Sequence, residues 1–495
     1  MKKIRHIVQI LKPKDFTEYF FLFFIVYIIL IKLILLKSFS IDIAGAEHYS
    51  VIQQQLLEKY GKLYMDPDSF PFFISFYPPL YPYMMKTIFS IKHINILTDL
   101  HQMYVTGRFI SFVLFFVVFF ILVKLIRLLV NTNARLYLIL FLLILLFPNH
   151  FYTFRPDSFK VTAYVCFVFF MLKYDFLTNQ KRTLYLAMAF GVIGVFFKHD
   201  VIIYVGLYFV AHFFVYRKPN KIGQFIQLLL VIFVLFFVGA ILTNNNMIDN
   251  IFYYNIQISN QYSSLLVLEL ANFLRLLPLI IIAIINARSK QLLNRFIGYY
   301  ALLAFVFSSI LLFRAGSNFN YTYESVFLLL INAGIYFKEK DKLLKAPIIL
   351  YVLFLIFLNQ NIGFKLFQFG EDLNRQQVEF NQNIQAAVQL KKIIKKDIVF
   401  FPSSKSIIFN AALNSICGYD FHLDRYTDLY LGKPIESKLL DEQLIKKYDS
   451  LFTNGFVRYI VIEDTPKSFH HIQKYYPKFE FLQTCNHLAI FRYKL

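Results

Sequence analysis

Acidic, basic and amide side chains lie in short clusters between long apolar runs of this 495-residue chain. The clusters, in chain order, are Asp42, Glu47 and His48; Arg155 and Asp157; Lys198, His199 and Asp200; and Arg314, Asn318, Asn320, Tyr321 and Glu324. A carboxylate can take a proton as a general base, and cationic side chains can neutralise a departing phosphate. Ionisable residues beside membrane spans are functional candidates, because burying their charge is costly.

Each cluster also has a structural interpretation. Asp42 could cap a helix that starts near Ile43, since aspartate is a favoured N-cap residue. Arg155 and Asp157 could be a surface ion pair at the end of a span. The segment 198–200 could consist of interfacial residues whose charged ends reach water. Asp42 and Glu47 are separated by about 140° on a helix, so they converge only if Asp42 lies in the preceding loop.

The elements that must position these clusters are strongly apolar. Hydrophobic residues make up 58% of the chain and charged residues only 16%, whereas an average soluble domain has about 25% charged residues. With three cysteines the chain is not a secreted disulfide scaffold, and the composition also excludes a disordered chain and a classical nucleic-acid binder. The sequence predicts a mainly α-helical, multi-spanning membrane protein.

Spans that cross a hydrocarbon layer of about 30 Å need about 17 to 25 residues. The predicted spans are 18–36, 104–125, 136–147, 158–172, 184–197, 201–216, 225–243, 266–286, 296–313, 321–337 and 346–358. The first run is too long for a signal peptide and lacks a small-residue cleavage site, so we expect it to be an anchor.

Lysine and arginine are distributed unevenly among the predicted loops. The net charge is +21, and the loops on the side of the N-terminus carry groups of basic residues, such as Lys2, Lys3 and Arg5 and the lysines of 338–345. The short loops on the other side contain only Arg155, Lys198 and Arg314. The positive-inside rule therefore predicts a cytoplasmic N-terminus in the cell membrane, with all the polar clusters on the external or periplasmic side.

Two large segments are predicted outside the membrane: the first outer loop, residues 37–103, and the tail, 365–495. In the tail, one helical face consists of Leu373, Phe380, Ile384, Ala387 and Ile394. The apolar stretches 397–401, 459–462 and 488–491 follow it. We expect residues 1–364 to form the transmembrane catalytic domain and residues 365–495 an external α/β domain packed over the mouth of the site.

The first outer loop begins IDIAGAEHYSVIQQQLLEKYGKLY and continues DPDSFPFFISFYPPLYPYMM. This order resembles the GT-C membrane glycosyltransferases, close to the protein mannosyltransferases and aminoarabinose transferases (families 39 and 83). In that group an acidic residue follows the first span and a PPLYY-like segment comes later in the loop. The counterparts here are Asp42 with Glu47, and residues 77–81, which begin with Tyr77. Many relatives place two acids side by side, whereas here they are five positions apart.

Three further segments carry the resemblance, which extends from about residue 41 to residue 337: FRPDSFKVTAY, FKHDVIIYVGLY and GSNFNYTYE. This resemblance implies a GT-C fold. It also implies an enzyme that moves a hexose or pentose from a polyprenyl-phosphate donor to a glycan, lipid or protein acceptor, with inversion of the anomeric configuration. Asp42 would be the general base, with Glu47 as the second acid. The implied substrate-binding residues are His48, Tyr77, Arg155, Asp157, Lys198, His199, Asp200, Arg314, Asn320, Tyr321 and Glu324.

Cofactors and competing functions stay open at this point. Asp42, Glu47 and His48 contain possible metal ligands, but their spacing matches no defined metal motif, so a divalent metal is possible and not required. No nucleotide-binding motif is present. Cys417 and Cys485 could pair in an oxidising compartment. The alternatives to an enzyme are a transporter or flippase of lipid-linked glycans and a non-catalytic envelope assembly protein.

Overall fold

The computed structural model describes residues 16–39, 47–66, 69–70, 73, 75–130, 143, 146, 149–217, 220–253, 266–312, 319–339, 351, 365–401, 413–416 and 449–494. Asp42, Arg314, Asn318 and Cys417 lie outside these residues, as do nearly all of the predicted spans 136–147 and 346–358. His48 and Asn320 are described only as parts of their helices, without their side chains.

Apolar helices make up the membrane part of the chain. They are α1 (Phe16–Leu36), α4 (Leu100–Val130), α5 (Asp157–Lys173), α6 (Lys181–Phe197), α7 (Val201–Tyr216), α8 (Asn220–Leu242), α9 (Leu266–Ala287), α10 (Leu292–Leu312) and α11 (Tyr323–Glu339). By length and composition, four described segments can cross a membrane: Leu100–Leu129, Asp157–Thr178, Lys221–Leu242 and Leu292–Leu312. Shorter apolar helices include Val201–Tyr216 and Phe273–Ala287. Each predicted span in the described residues overlaps a helix, while the total of eleven stays a prediction.

Helix α5 is the centre of the bundle. It packs on α4, α6, α7 and α11, and most of its side chains are buried. Helix α8 lies at the periphery, where Phe233, Phe237 and Leu242 are more than half exposed. Exposed apolar side chains of this size suit a lipid environment, because lipid tails are themselves apolar. The polar residues at the start of α5 are therefore held inside the bundle.

The first outer loop forms two helices, α2 (Glu47–Tyr60) and α3 (Leu80–Ile91). Helix α3 begins directly after Pro79, whose ring fixes φ near the helical value (φ −72°) without losing a needed hydrogen bond. The buried residues Ile52, Phe89 and Met103 join these helices to the start of α4 in one apolar core.

The C-terminal residues contain α12 (Lys365–Ile394), α13 (Pro466–Tyr475) and a five-stranded sheet. Its strands are β1 (Ile398–Phe400), β2 (Asn414–Ile416), β3 (Tyr459–Glu463), β4 (Phe479–Cys485) and β5 (Leu488–Tyr493), in the order β2-β1-β3-β5-β4. Strands β2, β1 and β3 are parallel, and β5 pairs antiparallel with both β3 and β4. The three apolar stretches of the tail fall on β1, β3 and β5.

Helix α12 packs against the first outer loop. Phe380, Ala387 and Ile394, on the face predicted from the sequence, are buried in the same core as α2 and α3. Lys59 of α2 donates a hydrogen bond to the Leu413 carbonyl oxygen at 2.9 Å. The C-terminal residues and the first outer loop therefore share a core.

Candidate active site

Six buried charged side chains meet where α5 begins, where α6 gives way to α7, and where α11 begins. We name this set the outer charge cluster, after its predicted side of the membrane. It consists of Arg155, Asp157, Lys160, Lys198, Asp200 and Glu324, and none of these residues is more than 7% exposed. It contains three cations and three carboxylates, so its formal charges balance. Charges at this depth are retained only where they are paired, because desolvation is costly.

The backbone positions these groups through helix ends. Pro156 precedes Asp157, the first residue of α5, and an acid in the first turn is favoured by the helix dipole. Lys160 lies three residues later and so on the same side of the helix. Lys198 adopts an extended conformation that ends α6, and Asp200 immediately precedes α7. Two helix starts and one helix end thus deliver opposite charges to one place.

Asp157 lies between two cations. Its Oδ1 is 2.9 Å from Lys198 Nζ, and its Oδ2 is 3.1 Å from Arg155 Nε. Asp157 is fully buried and Arg155 is 7% exposed, which corrects the interpretation of this pair as a surface ion pair. Lys198 is 4% exposed, so an interfacial side chain that reaches water is also the wrong description. This half of the cluster has a net charge of +1.

Lys160 lies between two carboxylates. Its Nζ is 2.7 Å from Asp200 Oδ2 and 3.0 Å from Glu324 Oε1, and both Lys160 and Glu324 are fully buried. This half of the cluster has a net charge of −1. Sequence reasoning missed Lys160, because it was counted as part of the span 158–172. The available signal was a lone lysine one turn after Asp157 in an otherwise apolar run.

The electrostatic field of the cluster keeps its loop residues charged. Burial by itself would lower the pKa of Arg155 and of Lys198, but the Asp157 carboxylate outweighs burial and holds both pKa values above their ordinary range. Burial would raise the pKa of Asp200, and Lys160, followed by Lys198, outweighs it and holds this pKa below its ordinary value. These loop groups are therefore ionised at neutral pH.

Tyrosines form the walls around the lysines. The Tyr321 ring centroid is 4.5 Å from Lys198 Nζ and 5.6 Å from Lys160 Nζ, and the Tyr77 ring centroid is 5.9 Å from Lys198 Nζ. Tyr204 donates a hydrogen bond to the Tyr321 carbonyl oxygen at 2.7 Å, which fixes the short helix before α11. Tyr77 from the first outer loop thus lies beside Lys198, at the end of α6.

Glu47 is fully buried and forms a bidentate ion pair with Arg108 of α4, with distances of 2.8 Å (Nε to Oε1) and 2.6 Å (Nη2 to Oε2). Glu47 Oε1 also accepts a hydrogen bond from the Phe154 backbone N–H at 2.7 Å. Glu47 is thereby joined to the chain directly before Arg155. Sequence reasoning missed Arg108, which lies within the predicted span 104–125.

The remaining predicted residues are placed as follows. The His199 ring is half-buried, 5.8 Å from the ring centroid of Phe252. His48 lies in the first turn of α2, and Asn320 lies in the short helix before α11. Asp42 and Arg314 lie outside the described residues. The described structure therefore brings together Tyr77, Arg155, Asp157, Lys198, Asp200, Tyr321 and Glu324, and adds Lys160.

The described residues of the site offer few ligands for a metal ion. Within the residues that the structure describes, no three His, Cys, Asp or Glu side chains are grouped to hold a metal ion. Asp157, Asp200 and Glu324 each face a lysine instead, so the described cluster does not fit a divalent cation.

Cys485, at the end of β4, donates a hydrogen bond to Gln389 Oε1 at 3.0 Å, and burial raises the pKa of its thiol.

No protein-family model matches the sequence, and no curated protein matches it. The structure is similar to a crystal structure of ArnT from Cupriavidus metallidurans bound to undecaprenyl phosphate, with 13% identity, a TM-score of 0.61 and coverage of 96% of this chain and 98% of that chain. The apo state of the same protein matches at 12% identity with a TM-score of 0.61, over 95% of this chain and 97% of that one.

A third structure is similar over most of this chain. It is the archaeal oligosaccharyltransferase AglB from Archaeoglobus fulgidus, in complex with an inhibitory peptide and a dolichol-phosphate. It matches at 10% identity with a TM-score of 0.51, over 93% of this chain and 71% of that chain. These similarities confirm the predicted resemblance for the fold: this chain shares the fold of the ArnT and AglB structures.

Proposed function

We propose that this chain is a membrane glycosyltransferase that moves a sugar from a polyprenyl-phosphate donor to an acceptor hydroxyl at the outer face of the membrane. The observation that carries the proposal is the outer charge cluster, a buried set of paired ions at one end of a helical bundle. Solved structures with the same fold contain undecaprenyl phosphate or a dolichol-phosphate. Cations buried in a membrane protein are suited to bind the phosphate group of a lipid-linked donor.

The reaction is a displacement at the anomeric carbon. The acceptor oxygen forms a bond to that carbon, the bond to the phosphate oxygen breaks, and polyprenyl phosphate leaves with the electron pair. Asp42 takes the acceptor proton as the general base. Attack opposite the leaving group inverts the anomeric configuration.

Arg155 and Lys198 stabilise the phosphate as it leaves. Both belong to the half of the cluster with net charge +1, and Asp157 keeps both protonated. Preorganised cations in a water-poor site stabilise a developing negative charge more strongly than they would in water. Arg314, His199 and His48 are further candidates for the phosphate or its surroundings.

The other half of the cluster faces the sugar. Asp200 Oδ1 and Glu324 Oε2 have no hydrogen-bond partner among the described residues, so they are acceptors for sugar or acceptor hydroxyls. Tyr77, Tyr321 and Asn320 complete this side. The sugar is a hexose or a pentose, and the acceptor is a glycan, a lipid or a protein.

The orientation follows from the distribution of basic residues. The N-terminus is cytoplasmic, and the charge cluster and the domain 365–495 are external or periplasmic. This domain packs over the mouth of the site and shapes the access of the acceptor.

The test is an assay of the purified full-length protein in nanodiscs with a set of polyprenyl-phosphate sugars and candidate acceptors. Release of polyprenyl phosphate identifies a glycosyltransferase. Asp42→Asn is the decisive variant: asparagine is also a good N-cap, so a capping role survives the change, whereas a general base does not. We expect normal folded yield, donor binding within about threefold of wild type and a rate lower by about 10²–10⁴-fold.

Three outcomes contradict the proposal. Substantial turnover by Asp42→Asn removes Asp42 as the base. Movement of the intact donor between leaflets without release of polyprenyl phosphate identifies a flippase, and binding with neither reaction identifies an assembly protein. Glu58→Gln is the matched control, because Glu58 is a partly exposed carboxylate of the same outer loop, 2.9 Å from Lys86.

A further inference from the structure

Arg108 is a buried arginine that contacts both ends of the segment in which Asp42 lies. Its Nη1 donates to the Ser38 carbonyl oxygen at 2.7 Å, and its Nε and Nη2 donate to the Glu47 carboxylate at 2.8 and 2.6 Å. Ser38 ends the described part of the first loop before Asp42, together with Phe39, and Glu47 resumes it. From Ser38 to Glu47 the chain has nine residue steps, which span about 30 Å when the chain is fully extended. The Arg108 guanidinium therefore keeps close together two points of the chain that could otherwise lie far apart.

The guanidinium is itself rigidly held. Arg108 is fully buried, and its Cζ lies 4.8 Å from the ring centroid of Tyr104, one turn earlier on α4. A planar guanidinium presents its donors in a fixed fork, so carboxylate and carbonyl partners are placed relative to each other with little freedom. Lysine has the same charge and cannot reproduce that geometry.

Glu47 extends the link to the charge cluster. Its Oε1 accepts from the Phe154 N–H, and Arg155 is the next residue. Gly107, beside Arg108, makes this contact possible, because any Cβ at that position would collide with the Phe154 side chain. The Arg108–Glu47 pair therefore connects the two ends of the Asp42 segment with the loop that carries Arg155 and Asp157.

We infer that Arg108 and Glu47 form a positioning clamp that fixes the two described flanks of the Asp42 segment, Ser38 and Glu47, relative to the loop that carries Arg155. Glu47 acts here through its contacts, because both of its carboxylate oxygens accept hydrogen bonds from Arg108. This inference rests on the proposed function, since it gives the clamp a role through Asp42. Displacement of a catalytic group by about 1 Å can cost about 10²-fold in rate.

The experiment compares Arg108→Lys and Glu47→Gln with wild type in the nanodisc transfer assay. We expect kcat per folded molecule to fall by about 10- to 100-fold, with donor dissociation constants within about threefold of wild type. Glu47→Gln should also lower stability, because it leaves the buried Arg108 charge without its carboxylate, whereas Arg108→Lys keeps the charge. Glu58→Gln, at the partly exposed pair with Lys86, is the control and should keep kcat within twofold of wild type. Unchanged kcat in both Arg108→Lys and Glu47→Gln overturns the clamp.

A double-mutant cycle separates positioning from a purely structural role. If Arg108 acts through Asp42, Arg108→Lys should slow the wild type but not slow Asp42→Asn any further in single-turnover measurements. Equal slowing in both backgrounds overturns the inference. The proposed function fails separately: it fails if Asp42→Asn keeps substantial turnover, whatever the Arg108 variant does. Should Arg108→Lys fold poorly, Glu47→Gln in the same cycle gives the answer.

Discussion

At the scale of single residues, Lys160 is the counter-ion on which the negative half of the outer charge cluster depends. It is fully buried between Asp200 and Glu324. Removing one partner of a buried ion pair costs about 3–5 kcal/mol, because it leaves an uncompensated charge. We therefore expect Lys160→Met to lower stability by about that amount, and Lys160→Met/Glu324→Gln to regain part of it. Thermal inactivation of the folded protein in detergent measures both.

The matched control is Lys86→Met. Lys86 also pairs with a carboxylate, Glu58, but the two side chains are 32% and 41% exposed. Exposed pairs contribute about 0–1 kcal/mol, so this variant should inactivate at nearly the wild-type temperature. A Lys160→Met protein as stable as Lys86→Met would show that the buried lysine does not balance the two acids.

At the scale of elements, α12 connects the C-terminal residues to the first outer loop. The Phe380 ring lies 5.8 Å from the Phe39 ring and is 8% exposed, and Ser38 Oγ donates to Gln376 Oε1 at 2.8 Å. Ser38 and Phe39 directly precede the segment that contains Asp42. We therefore expect the packing of α12 to influence both stability and transfer.

Phe380→Ala tests this connection against Val378→Ala on the same helix. Val378 is 57% exposed, so its truncation should change stability by less than about 0.5 kcal/mol. Truncating a buried phenylalanine costs about 3–5 kcal/mol, and we expect a clear loss of transfer rate per folded molecule as well. Melting temperature and single-turnover rate are the measurements. Equal behaviour of the two variants would mean that α12 does not support the outer loop.

At the scale of the whole molecule, the prediction concerns orientation in the membrane. The basic residues of the loop 338–345 favour the cytoplasmic side, and the residues after 365 are mostly polar. A reporter fused after Leu495 should therefore be active outside the membrane, and one inserted in 338–345 inside. Paired reporters of opposite compartment specificity measure this. The reverse pattern would place the outer charge cluster on the cytoplasmic side and contradict the donor assignment.

The membrane class, the helical bundle and the general location of the site could be predicted from the sequence. Long apolar runs must become helices in lipid, because each backbone group needs a partner within its own segment. The short polar stretches around Arg155, Lys198 and Tyr321 fall between such runs, so their neighbourhood follows from chain order. The resemblance to a known family placed the first outer loop beside them.

The pairing within the site was decided only by tertiary structure. Lys160 and Arg108 lie in apolar helices, and nothing local distinguishes a lysine that faces lipid from one that faces two carboxylates. The sequence predicts Glu47 as the second catalytic acid, but in the structure its carboxylate accepts hydrogen bonds from Arg108 and from the Phe154 N–H, 61 and 107 residues away. Such contacts depend on helix rotation and packing, which local periodicity does not determine.

The strands of the C-terminal sheet also differ in how far the sequence predicts them. Stretches 459–462 and 488–491 are continuously apolar and could be recognised, because they are buried in the sheet. Strand β4 reads FEFLQTC, and only its two end residues, Phe479 and Cys485, are buried, while Phe481 between them is exposed. It therefore carries no continuous apolar signal. Local composition determined which segments enter the core or the membrane. Contacts between distant segments determined which charges meet, because a buried ion is stable only beside a partner that the fold brings to it.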